Sequence, residues 1–101
     1  MKHDEEMVEL AVKDGKEYSS VRLYLESDGA IRIDGQDMGP NVKAFWDHDD
    51  YEYMVSVPSS AVGKLAFELL RDKFTGNLRA VEELRAFCNE HQIPSEWWSW
   101  P

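Results

Sequence analysis

Asp47-His48-Asp49-Asp50, next to Trp46, gathers three carboxylates and an imidazole into the densest set of metal-ligating groups in the chain. Oxygen and imidazole donors together suit a divalent cation. A calcium loop of the EF-hand type needs acids at alternate positions, a central glycine and a closing glutamate, and that spacing is missing. The tetrad reads first as a solvated acidic loop, then as a partner contact, and last as a metal site. Asp34, Asp37 and the acids around His48 could divide general acid and base roles, since carboxylates in different environments hold protons differently. With twenty acids in 101 residues, such pairs arise by chance. Cys88 and His91 stand three apart without a third group to orient them. No GxSxG elbow, phosphate-cradling glycine loop or HExxH helix occurs. The expectation is a chain that is not an enzyme and holds no metal or cofactor.

Two further segments invite recognition instead of catalysis. Asp34-Gly35-Gln36-Asp37-Met38-Gly39-Pro40 reads as a polar, glycine-bracketed connection that reverses the chain, with positive φ at one or both glycines. Its alternative use is to present Gln36 and Asp37 as acceptors to a ligand or partner. Trp97-Trp98-Ser99-Trp100 sets three indoles near the C-terminus, where they read as core packing or, with Trp97 turned outward, as an anchor for a partner.

Charge narrows the partner. Eleven basic against twenty acidic residues give a net charge of -9, which repels phosphate backbones and anionic headgroups. Residues 1 to 50 hold 13 acids and 6 bases, so the acidic field belongs to the first half. Nucleic acid and membrane are not expected as partners; a basic protein is. No apolar run approaches the ~18 residues of a spanning helix, and the acidic N-terminus does not resemble an export signal. One cysteine excludes an internal disulfide, and the cytoplasm is the expected location.

These groups need a scaffold, and periodicity supplies one. Val8, Leu10 and Val12 alternate with Glu9, Ala11 and Lys13, as do Val21, Leu23 and Leu25 with Arg22 and Tyr24. Asp14-Gly15 and Asp28-Gly29 mark turns, Ile31 and Ile33 flank Arg32, and Tyr51, Tyr53, Val55 and Val57 form a fourth strand that stops at Pro58. Pro40 through Trp46 has the spacing of a short helix between the third and fourth strands. Val62, Leu65, Leu69, Leu70 and Phe74 make one helical stripe, stopped by Gly76. Asn77 is placed to cap a second helix, with Leu78, Val81, Leu84, Phe87 and Cys88 facing inward. The expected fold is α+β: an antiparallel four-stranded meander, with room for a fifth, C-terminal strand, and a two-helix hairpin covering one face. A single domain spans residues 1–101, with 1–6 disordered. The opposite, wet face would carry Glu9, Lys13, Ser20, Arg22, Tyr24, Arg32, Glu52, Met54 and Ser56, with Arg22 or Arg32 paired to Glu52.

Asp28-Gly29 followed by Ile31 and Ile33, then Gly35-Gln36-Asp37-Met38-Gly39-Pro40, then Tyr51-Glu52-Tyr53, resembles a group of small, uncharacterised bacterial proteins over residues 20 to 58. Some of these act as immunity-type partners in bacterial toxin systems. The resemblance implies a small bacterial cytoplasmic protein and assigns no residue a role. The functional expectation is an acidic, non-enzymatic protein-binding module, an immunity-type inhibitor of a basic toxin, contacting its partner through Gln36, Asp37, Asp47, Asp49, Asp50, Glu52 and Trp97. The alternative is a small-ligand-binding or catalytic domain with a pocket beside Trp46. Periodicity does not decide the oligomeric state.

Overall fold

Period-two alternation becomes four strands of eight residues: β1 (Glu6–Lys13), β2 (Tyr18–Leu25), β3 (Ile31–Met38) and β4 (Asp50–Val57). They pair antiparallel in the order β1-β2-β3-β4, the expected meander. The computed structural model describes residues 5–46 and 50–101. Helix α1 (Pro40–Trp46) links β3 to β4 and touches both. A 3-10 turn (Ser59–Ala61) leads into α2 (Val62–Phe74), and α3 (Ala80–Glu90) follows. The chain divides into two compact units, Met1–Ala66 and Phe67–Pro101.

The β2-β3 hairpin shows how local chemistry sets the register. Asp28 Oδ1 accepts the Ala30 amide at 2.9 Å, the Gly29 amide donates to the Glu26 carbonyl, and Gly29 takes φ +91°, which a side chain would oppose. Arg22 then lies opposite Asp34, and Tyr24 opposite Arg32. One face of the sheet gathers Val8, Val21, Leu23, Ile31, Ile33 and Val55; the other holds Glu9, Arg22, Arg32, Asp34 and Glu52.

Three expectations need correction within this unit. Asp34–Met38 is not a connection but the second half of β3, paired on both sides: Asp34 and Gln36 continue the charged face, while Asp37 falls on the apolar face, where Ser19 donates to it. The reversal is confined to Gly39, at φ +137°. A register shift between Glu9 and Ala11 marks a bulge, which inserts one residue and inverts the side-chain parity beyond it. Val8 and Val12 therefore occupy opposite faces, and Lys13, opposite Ser19, leaves the charged face. Ser20, expected to be wet, is only 2% exposed.

In the helical unit, Gly76 ends α2 at φ +84° as expected. Asn77 Oδ1 accepts the Arg79 amide at 2.8 Å and its amide group donates to Glu83, so the expected capping residue instead closes a turn ahead of the helix, which begins at Ala80 with Arg79 at its N-cap. Both helices keep their apolar stripes, yet neither buries a residue; Leu78, Val81 and Phe87, expected inward, are exposed. Residues 93–101 form no strand, and Trp97, Trp98 and Trp100 are exposed instead of packed.

Candidate functional site

The sheet carries two concentrations of charge. On the charged face, Asp34 lies 3.4 Å from Arg22 and 3.7 Å from Arg32, and Arg32 also reaches Glu26 at 3.0 Å. The Arg32 guanidinium sits 4.0 Å from the centre of the Tyr24 ring, within cation-π range. Two guanidinium groups meet two carboxylates, so the cluster is electrically closed. Arg22 and Arg32 thus take Asp34, which lies in register, in place of the expected Glu52.

The second concentration lies where β3 and β4 approach α1. Here Gln36 is opposite Glu52, Asp37 opposite Tyr51, and Met38 opposite Asp50. Gln36 donates to Glu52 Oε1 at 3.4 Å. Ser19, opposite Asp37 on the other side, donates its hydroxyl to Asp37 Oδ1 at 2.7 Å. Asp37, Asp50 and Glu52 form no ion pair among the described residues.

Two tyrosines complete this end. Tyr51 and Tyr53 share the apolar face, with ring centres 5.4 Å apart. Tyr53 leans over Gly35 so closely that a Cβ there would meet its ring at 2.5 Å; glycine is needed for that approach and not for a turn. The partial loss of water in this contact, and then the nearby Asp37 carboxylate, hold Tyr53 above the usual tyrosine range. Asp37 thus accepts the Ser19 hydroxyl, which orients it, while an ionised carboxylate offers about four lone-pair positions. The remaining positions suit a cationic side chain, and the neighbouring tyrosine faces suit the same ligand.

The hairpin turn joining β1 to β2 braces this end. Glu17 Oε1 accepts the Asn41 amide at 3.0 Å, and Glu17 packs against Gly39, where a Cβ would lie 2.6 Å from its carboxylate. Beside it lies a cleft of about 700 Å³, lined by Lys16, Tyr18, Gln36, Met38, Pro40 and Lys43 among others.

Of the residues singled out from the sequence, Gln36, Asp50 and Glu52 share the charged face at this end, while Asp37 stands on the opposite face beside Tyr51. Asp47 and Asp49, with His48 between them, lie outside the described residues. Trp97 belongs to the helical unit, where the Arg85 guanidinium sits 4.4 Å from its ring centre. Among the described residues, no three His, Cys, Asp or Glu side chains converge on a metal position. Sequence reasoning missed Ser19, Gly35, Tyr51 and Tyr53 as site residues. The tyrosines were visible as strand formers only, and Ser19 gave no signal, because its role follows from the β2-β3 register. No protein-family model, curated protein or solved structure matches this chain, so the site stands on its own geometry.

Proposed function

We propose that this protein is a non-enzymatic binding module for a basic protein, of the immunity-inhibitor type, and that it meets its partner through the acidic end of the β3-β4 pair. One observation carries the reading: at one end of the β3-β4 pair Asp37 lies on the face of exposed Tyr51 and Tyr53, Asp50 and Glu52 lie on the opposite face, and none of the three forms an ion pair among the described residues. Uncompensated acids next to aromatic faces fit lysine and arginine side chains. The -9 net charge adds long-range attraction, which accelerates association by roughly 10 to 1,000-fold and fades with salt. The cytoplasm is the setting that a single cysteine and the bacterial resemblance favour.

The test uses the immobilised full chain against lysate of its own source cell. A basic protein should be retained at low ionic strength, released as salt rises, and lost when Asp37→Asn and Glu52→Gln are combined. Retention of no basic protein, or equal retention by the double variant, contradicts the proposal.

A second reading, a small-ligand domain, is favoured by the cleft beside Lys16 and Lys43, whose volume lies within the ~300 to 1,000 Å³ usual for ligand sites. Small organic anions should then raise the melting temperature, and Lys16→Ala should abolish the rise.

A further inference from the structure

The two edges of the sheet are guarded unequally. β1 has the bulge beyond Glu9 and alternates Glu6, Glu9 and Lys13 with its apolar residues, the devices that blunt an edge against further pairing. β4 has neither: its register with β3 is unbroken from Asp50 to Val57, and it contains no lysine, proline or bulge. Being last in the strand order, it is hydrogen-bonded to a neighbour on one side only. Its Tyr53, Met54 and Val55 are exposed, Val55 by 70%. A long, regular, apolar edge of this kind is a template for another strand.

The distribution of charge along β4 selects the strand. Both acids, Asp50 and Glu52, lie in its first three residues, and Tyr53 through Val57 is uncharged. A second copy added in parallel register would set Glu52 beside its own equivalent. Added antiparallel about Met54, it sets each acidic end against the uncharged end of the other. Tyr53 then faces Val55 of the second copy, Tyr51 faces Val57, Glu52 faces Ser56, and Met54 faces Met54 across the twofold axis. Aromatic against β-branched residues is a favourable cross-strand pairing, and no like charges are opposed. Registers shifted by one residue would put apolar side chains on the charged face. We infer that β4 is the edge through which two copies of this chain join, antiparallel and centred on Met54, into one eight-stranded sheet. The resulting contact is self-complementary, as a twofold axis requires. It involves the same β4 residues, Tyr51, Glu52 and Tyr53, as the basic-partner reading but responds to salt in the opposite sense: two chains of charge -9 repel less as salt rises, so the dimer strengthens where a basic partner would be released.

Sedimentation equilibrium of the full chain should show a monomer-dimer equilibrium with Kd of about 10 μM or tighter at moderate salt. Met54→Lys places two ammonium groups directly opposite each other and should weaken the dimer at least ~10-fold with the far-ultraviolet circular dichroism unchanged, whereas Met7→Lys on β1 should leave it intact. Register is read separately in a Cys88→Ser background. Met54→Cys should oxidise to a symmetric disulfide dimer, because directly opposite residues lie within the roughly 4.4 to 6.8 Å of Cα separation that a disulfide spans; Val12→Cys should stay monomeric. A chain that is monomeric at all salt concentrations, or a dimer broken by Met7→Lys and not by Met54→Lys, or cross-linking through Val12→Cys and not Met54→Cys, overturns the inference.

Discussion

On the charged face of the sheet Arg22 and Arg32 meet Asp34 and Glu26 within 3.7 Å, whereas at the end of the β3-β4 pair Asp37, on the apolar face, and Asp50 and Glu52, on the charged face, form no ion pair among the described residues. The two groups share β3, where Asp34 and Asp37 lie three residues apart. The first spends its charge on the fold: cross-strand pairs hold register and shield one another from the cost of partial burial. The second leaves its charge available, and the hydrogen bond from Ser19 to Asp37 orients that carboxylate without neutralising it. Substitutions in the first group should therefore change stability more than binding. Those in the second should do the reverse.

Asp34→Ala should have the largest effect on stability. It leaves two part-buried guanidinium groups without their shared carboxylate, and chemical denaturation should show a loss of about 2 kcal/mol. Retention of the basic partner should persist in the fraction that remains folded. Loss of binding with unchanged stability would mean that the charged face is itself the contact surface.

Gly35→Ala should separate site geometry from stability in the other direction. The added methyl displaces the Tyr53 ring, the mobile end of an exposed side chain, so unfolding should change by less than about 1 kcal/mol. Tyr53 moves away from Asp37 and into water, its phenol returns toward the ordinary tyrosine value, and binding falls. An unaltered ultraviolet tyrosinate titration would show that the close approach over Gly35 does not form.

Asp37→Asn sharpens the same point through pH. Because the Tyr53 value is raised in the folded state, the stability linked to it is fully present below the unfolded tyrosine value of about 10 and is lost as pH rises through the folded value. Removing the Asp37 charge should shrink that alkaline loss, read as melting temperature against pH. Its persistence in the variant would place the cause in loss of water alone.

The smallest effect belongs to the exposed helical pair Arg71 and Glu68, 2.6 Å apart. Replacing Arg71 with alanine should cost about 0.3 to 0.5 kcal/mol by thermal melting, since solvent and salt weaken exposed pairs. A loss several times larger would show that α2 depends on this pair for more than surface charge.

Period-two patterning and two Asp-Gly turns made the meander legible, because strands with one apolar and one polar face alternate whatever lies around them. The bulge in β1 was not legible: Val8, Leu10 and Val12 keep perfect alternation in sequence, and only pairing with β2 shows that one residue is extra. Gly35 and Gly39 misled for a related reason. Two glycines around polar residues look like a loop, yet Gly39 alone turns the chain and Gly35 makes room for a ring from the next strand. Gln36, Asp37, Asp50 and Glu52 were readable as acceptors, but which face each takes, Asp37 on one and the other three on the opposite, is a property of register. The helical stripes were read correctly as periodicity; periodicity does not say what a stripe meets, and in α2 and α3 it buries nothing.

Titration of isotopically labelled full-length chain with a short lysine-rich peptide, followed residue by residue by nuclear magnetic resonance, tests the acidic end most directly. Perturbations should concentrate at Gln36, Asp37, Asp50, Tyr51, Glu52 and Tyr53 and vanish at high salt. Perturbations centred on Arg22, Arg32 and Asp34, or spread evenly over every acid in the chain, would contradict the assignment of the binding surface.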